Sequence, residues 1–166
     1  DIDIVGISHF HFDHIAQLPD FPAAKLYIGK NDWDVLTQNP PPAFVDPTPF
    51  AHWISGGGKV EPVARDKDIF GDGRVVMLDM PGHTPGHHTL LVRLAGMGPV
   101  LLSGDQAHFQ ENYDSEGVPT FNTNRADTLA SFGRFKGLAN NLGATVILQH
   151  EPRDVGKLPT FPKAAE

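Results

Sequence analysis

The run His9-Phe10-His11-Phe12-Asp13-His14 places four residues of metal-ligating type within six positions, directly behind the apolar stretch Ile2-Asp3-Ile4-Val5-Gly6-Ile7. Few local features restrict a fold so strongly, because core packing has no use for four such side chains in sequence. If the extended conformation persists past Ile7, His9 and His11 point to one side at period two and can grip a single ion. Asp13 and His14 then follow on a turn that has changed direction, so they aim at a second point nearby. Ligands crowded between a strand and a helix form the pattern expected of a two-metal centre.

Further ligand types stand just past the carboxyl ends of later apolar stretches. His83 follows Arg74 to Met80, Asp105 follows Val100 to Ser103, and His150 follows Ala144 to Gln149. Open sheets place their sites at such strand ends, and the neighbouring Gly and Pro residues permit the sharp turns that present a side chain. Taken singly, His83, Asp105 and His150 read equally well as turn or core-edge residues; their force is collective. The chain has nine His and no cysteine, so thiolate sites, disulfides and a cysteine nucleophile are excluded and any ion must be held by imidazole and carboxylate. That donor set suits zinc first, with iron, manganese or cobalt as alternatives. Asp105 is the natural bridge between two ions, and water held between them would be substantially hydroxide near neutral pH.

The coarse element pattern is a strand over Ile2 to Ile7, a short helix from Asp13 stopped by Pro19, and a strand at Leu26 to Ile28. A helix over Asn31 to Gln38, with Asp32 as its cap, ends before Pro40-Pro41-Pro42. From Pro40 to Gly58 no period is sustained, which suggests a long ordered loop; its Phe44, Phe50 and Trp53, like Phe109 and Phe121 further on, either anchor loops or line a pocket. Strands then run over Lys59 to Val63, Arg74 to Met80, Thr89 to Leu94, Val100 to Ser103 and Ala144 to Gln149, interrupted by one amphipathic helix from Asn124 to Leu142 that closes at Gly143. Of the other histidines, His87 reads as support for a ligand, His88 as the start of a strand and His52 as a loop residue.

With 13 Lys and Arg against 20 Asp and Glu, the formal charge is −7, and no basic run interleaves with aromatics, so nucleic acid is not an expected partner. No apolar stretch approaches the ~18 residues that a bilayer span needs, so no membrane partner is expected either. The 166 residues suit one domain. Because Asp1 enters a core strand at once, the chain reads as the carboxyl-terminal majority of a longer one. The compartment, cytoplasmic or periplasmic for a soluble protein, is then left open.

The motifs His-x-His-x-Asp-His, Pro-Gly-His-Thr-Pro-Gly-His and Ser-Gly-Asp, with a strand-end His after them, resemble those of the metallo-β-lactamase superfamily. The resemblance runs from His9 to His150. It implies an α/β fold, the αββα sandwich, here expected to lack its N-terminal strands and so to be a fragment with a thin first sheet. It also implies two metal-ligand sets that share Asp105: His9, His11, His83 and Asp105 in one, and Asp13, His14, Asp105 and His150 in the other. An Asp in the Ser-Gly-Asp position resembles lactonases and thioester hydrolases more than true β-lactamases. The stretch from Gly104 to Phe121, the helix after it and the short tail Leu158-Pro159-Thr160-Phe161-Pro162 resemble N-acyl homoserine lactone lactonases.

The resemblance therefore implies metal-dependent opening of an acyl homoserine lactone (quorum quenching), with Asp105, His108 and Asp13 as catalytic candidates. Some lactonases carry Tyr where this chain has His108, whose imidazole can still donate a hydrogen bond to the substrate carbonyl. A hydroxyacylglutathione-type thioester hydrolase and an inactive metal-binding fragment are the alternatives, and a homodimer is a possible assembly.

Overall fold

The computed structural model describes residues 2–160 and 162–166; Phe161, part of the carboxyl-terminal tail singled out above, lies outside them, as does Asp1. Among the described residues eight strands form two sheets. The first is all parallel, in the order β1 (Ile4–Gly6), β2 (Lys25–Gly29), β3 (Val60–Val63). The second is mixed, in chain order β4 (Lys67–Asp68), β5 (Val75–Asp79), β6 (His88–Leu94), β7 (Gly98–Leu102), β8 (Thr145–Ile147), with only β7 and β8 parallel.

Side-chain alternation turns these sheets into four layers. In β2, Leu26 and Ile28 face outward onto a core shared with Ile15, Leu18, Leu36, Phe50 and Trp53, whereas Tyr27 between them faces the second sheet together with Val63 and Met77. In β5 the neighbours of Met77 point the other way: Val76, Leu78 and Met80 pack with Leu91 and Leu101 against Phe135 and Ala139. The outer helices are α1 (Phe12–Ile15), α2 (Lys30–Leu36) and α3 (Ala51–Ile54) on the first sheet and α5 (Arg125–Leu142) on the second; α4 (Gln110–Ser115) precedes α5. This is the αββα order that the motifs imply. No helix among the described residues is long and apolar enough to cross a membrane.

The expectation that the N-terminal strand is missing is corrected. β1 is in place ahead of the histidine run and pairs with β2 in the register Ile4↔Lys25, Val5↔Leu26, Gly6↔Tyr27, extended at both ends by Lys25 N to Asp3 O and Ile7 N to Tyr27 O. The physical reason is that β2 supplies a partner strand and its Leu26 and Ile28 face a core for Val5 and Ile7. The compartment argument built on a missing N-terminus falls with it, and the compartment itself stays unassigned.

Smaller differences have local causes. Residues 40–58 are not structureless: a 3-10 turn, Thr48–Phe50, leads into α3 and buries Phe50 and Trp53, which tertiary packing rather than periodicity stabilises. The strand at Val60 joins the first sheet, not the second. Asp32 does not cap α2, whose N-cap is Gly29 with no side-chain cap bond. α5 matches its expected bounds because its ends carry local signals: Asn124 Oδ1 accepts from Ala126 N and Asp127 N, and Gly143 closes it in the left-handed conformation at φ +58°. Phe132 and Phe135, fully buried from α5, each contribute roughly 1.5–3 kcal/mol through the apolar area they remove from water.

Candidate metal centre

The ligand-type residues converge at one end of the two sheets, where β1, β5, β7 and β8 deliver their following turns. Three imidazole nitrogens form a tight triangle: His9 Nε2 to His11 Nδ1 is 3.1 Å, His11 Nδ1 to His83 Nε2 is 2.9 Å, and His83 Nε2 to His9 Nε2 is 3.2 Å. Asp105 Oδ2 completes this set at 3.3 Å from His83 Nε2 and 3.8 Å from His9 Nε2. The second set has equal economy. His14 Nε2 and His150 Nε2 are 3.3 Å apart, Asp13 Oδ2 lies 3.4 Å from the first and 3.5 Å from the second, and Asp105 Oδ1 lies 3.1 Å and 3.2 Å from the same two nitrogens.

Ligands ~2.0–2.2 Å from a tetrahedral ion stand ~3.3–3.6 Å apart, so both sets have the edge lengths of a coordination shell. The charge states agree. Burial drives His9 far below its ordinary range, takes His83 down to about 4 and lowers His11, which favours neutral rings. In the tautomers that leave the facing nitrogens bare, these nitrogens repel at such distances unless a cation lies among them. Burial opposes ionisation of Asp105, but the neighbouring His108 and His14 imidazoles outweigh it and hold its carboxyl far below the usual carboxylate range. Burial likewise acts against a proton on His14, and the Asp105 carboxylate overcomes it, raising its pKa. Asp105 Oδ1 is buried and aimed into the second set, where it meets the His14 and His150 nitrogens at 3.1 and 3.2 Å without a well-aligned hydrogen bond. A divalent ion among these atoms would satisfy such a buried acceptor.

The rings are oriented from behind. His83 Nδ1 donates to Asn122 Oδ1 at 3.0 Å, which leaves Nε2 bare, and His9 Nδ1 stands 3.1 Å from Ser8 Oγ. His87, fully buried and lowered to about 3 by that burial, donates from Nδ1 to Met80 O and accepts Asp105 N at Nε2, 2.9 Å away, so it supports the Asp105 turn as its sequence position suggests. Gly104 makes that approach possible: its φ is +52°, and a Cβ there would lie 2.6 Å from His87 Nε2. His88 begins β6, and His52 is exposed on α3, remote in role from the centre.

The two sets differ in access. His9 and His83 are buried, whereas the side chains of Asp13 and His150 are 58% and 33% exposed, so the centre opens to solvent on the side of the second set. His108 stands at that opening, its Nε2 3.2 Å from Asp105 Oδ2 and its ring stacked on His150. Of the aromatics considered from sequence, Phe50 and Trp53 are core residues, while Phe44, Phe109 and Phe121 are exposed, as is Phe12. Phe121 lies edge-on to His83 and His108, and Phe12 and Phe44 border a cavity of about 100 Å³ beside His11. Sequence reading missed Asn122 and Ser8. Asn122 stands 39 residues from His83, and no local pattern links the two.

A family model described as the metallo-beta-lactamase superfamily matches residues 1–150. An N-acyl homoserine lactonase AttM of Azorhizobium caulinodans is 32% identical over 179 residues, an alignment that covers 99% of this chain and 62% of that protein. The AttM lactonase of Agrobacterium fabrum is 30% identical over 167 residues, covering 92% of this chain and 59% of the relative. Among solved structures, an N-acyl homoserine lactone hydrolase with N-hexanoyl-L-homoserine bound at its catalytic metal centre superposes with a TM-score of 0.81 at 22% identity, over 96% of this chain and 60% of the other. AidC, a dizinc quorum-quenching lactonase, superposes with a TM-score of 0.71 at 22% identity, over 92% and 58%. At that identity the superpositions speak for the fold. The chain spans about three fifths of the length of these relatives.

Proposed function

The chain belongs to the metallo-β-lactamase superfamily, and from that premise we propose that it is a dinuclear metal hydrolase that opens the lactone ring of N-acyl homoserine lactones. The observation that carries this reading is the division of one carboxylate: Asp105 turns Oδ2 to His9 and His83 and Oδ1 to His14 and His150. We assign His9, His11, His83 and Asp105 to one ion and Asp13, His14, His150 and Asp105 to the other; the ligand atoms gather as His9, His11, His83, Asp105 and as Asp13, His14, His150, and Asp105 Oδ1 lies 3.1 and 3.2 Å from the His14 and His150 nitrogens. Zinc is the first choice for this set of imidazole and carboxylate donors.

Two divalent ions supply Lewis acidity toward an ester carbonyl and lower the pKa of water toward neutrality. The rest falls to the chain's own groups. His108, at the opening beside Asp105, would donate a hydrogen bond to the carbonyl oxygen as negative charge develops on it. Hydrolysis gives the acyl carbon a hydroxyl and the ring oxygen a proton. Asp13, the more exposed of the two carboxylates, would hold that proton between the two events. Asp13 completes the second set on its open side, where the leaving ring oxygen emerges. The exposed rings of Phe12, Phe44 and Phe121 offer apolar surface for an acyl chain. A charge of −7 favours small substrates over nucleic acid.

The test is metal analysis of the purified protein together with a pH-indicator assay of lactone opening, on wild type and Asp105→Ala. Two ions per chain with turnover in the wild type, and loss of both in the variant, are expected. Two bound ions with no lactone turnover, and turnover of a glutathione thioester instead, would overturn the substrate assignment. Undiminished activity of Asp105→Ala would sink the bridging role.

A further inference from the structure

Asp32 is completely buried in the first turn of α2, and its carboxylate serves neither its own helix nor an ion pair among the described residues. Both its hydrogen bonds go to the loop that carries His83. Thr84 Oγ1 donates to Asp32 Oδ2 at 2.8 Å, and Gly86 N donates to Asp32 Oδ1 at 2.6 Å. The adjacent Asn31 donates from Nδ2 to Pro85 O at 3.2 Å. The start of α2 thus grips three consecutive residues of the loop.

The opposite wall of the loop belongs to α5 and the segment before it. Ser131 Oγ donates to Pro81 O at 2.8 Å, and Thr123 donates to His83 O from both N and Oγ1, each at 3.1 Å. His83 sits between these walls, with its Nε2 in the imidazole triangle. Its backbone lies next to Thr84, so the oxygen that holds Thr84 sets where the ring arrives. An enclosed carboxylate with no cation beside it among the described residues carries a desolvation cost, and its two hydrogen bonds offset part of this. That cost is consistent with a geometric task rather than a stabilising one, since an apolar residue would pack the same space at less expense.

We propose that Asp32 is a positioning residue of the metal centre, fixing Thr84 and Gly86 so that His83 presents Nε2 at coordination distance from His9, His11 and Asp105. The proposal rests on the reading of His83 as a ligand.

The test is a zinc and cobalt titration of the metal-free protein against a chromophoric chelator, with the visible spectrum of bound cobalt as a second readout. His83→Ala and His150→Ala identify which dissociation constant belongs to which set. If His83→Ala still binds two ions with unchanged affinity, the ligand reading itself fails, whatever Asp32 does. Asp32→Ala is expected to weaken the ion of the His83 set by ~10–100-fold, the usual effect of losing a group that supports a ligand, and to leave the other ion within ~3-fold. Asp32→Asn keeps the shape and one accepting oxygen, so it falls between, at ~3–10-fold. Unchanged constants and cobalt spectrum in Asp32→Asn and Asp32→Ala overturn the proposal. Equal weakening of both ions with a lower melting temperature of the metal-free protein also overturns it, because that marks general loss of packing. If Asp32→Ala does not fold, Asp32→Asn decides alone: selective weakening supports the proposal, and wild-type binding overturns it.

Discussion

Replacing Gly82 by alanine tests how the fold holds the residue in front of His83. Gly82 has φ +135°, and an added Cβ would stand 2.3 Å from Thr128 N, 2.4 Å from Thr128 Oγ1 and 2.5 Å from Thr128 Cα. The obstructing atoms cannot swing aside, because Thr128 is bonded through its amide to Asn124 O near the start of α5. Backbone strain of this kind costs ~1–3 kcal/mol, and forcing an extra carbon into a packed place costs a further ~1–3 kcal/mol. For a chain of this size ~1 kcal/mol moves the melting temperature by ~2–4 °C, so Gly82→Ala is expected to lower it by about 5 °C or more. The control is Gly133→Ala, within α5 on an exposed position where a Cβ meets nothing within 4 Å. Alanine is favoured over glycine inside a helix by ~0.5–1 kcal/mol, so this variant should melt slightly higher. The same added carbon therefore acts with opposite sign at the two sites. Differential scanning calorimetry with a chelator present separates packing from metal binding. A melting temperature for Gly82→Ala within ~1 °C of wild type would refute the contact argument.

Three further outcomes follow from particular contacts. Asn122→Ala removes the acceptor that keeps His83 Nδ1 protonated and is expected to weaken ion binding by ~10–100-fold in the same chelator competition; an unchanged constant would show that Asn122 does not orient the ring. Burial pushes Asp32 up to about 7 from 3.8, so its contribution to stability is complete below 3.8 and is lost as pH rises through about 7. Metal-free Asp32→Asn should accordingly gain on wild type in denaturant titrations across that window, and a difference that does not vary with pH would contradict the assignment. Ions that bind only the folded chain stabilise it by ~2.7 kcal/mol at a hundred times their dissociation constant, so chelation should lower the melting temperature by ~5–10 °C; identical melting with and without chelator would argue against a structural coupling of the site to the fold.

Much of this protein is written locally. A strand that ends in His9 and His11, a helix bounded by Asn124 and Gly143, and single ligand types after β5, β7 and β8 could be read from residue type and spacing, because caps, turns and alternation act within a few positions. The candidate ligand residues were legible for the same reason. What depended on distant partners was not. That β3 leaves the later strands to pair with β2, and that β1 pairs with β2 on its other side, is decided by which apolar faces meet across the sheet. That Asp105 divides its two oxygens between two sets of imidazoles, that Asn122 stands behind His83, and that Asp32 turns from its own helix to Thr84 and Gly86 are consequences of packing between residues 22 to 96 positions apart. Sequence specifies which groups can bind an ion. Only the tertiary structure brings their bare atoms within a coordination edge of one another, because the free energy that holds mutually repelling nitrogens in place comes from the cores behind them.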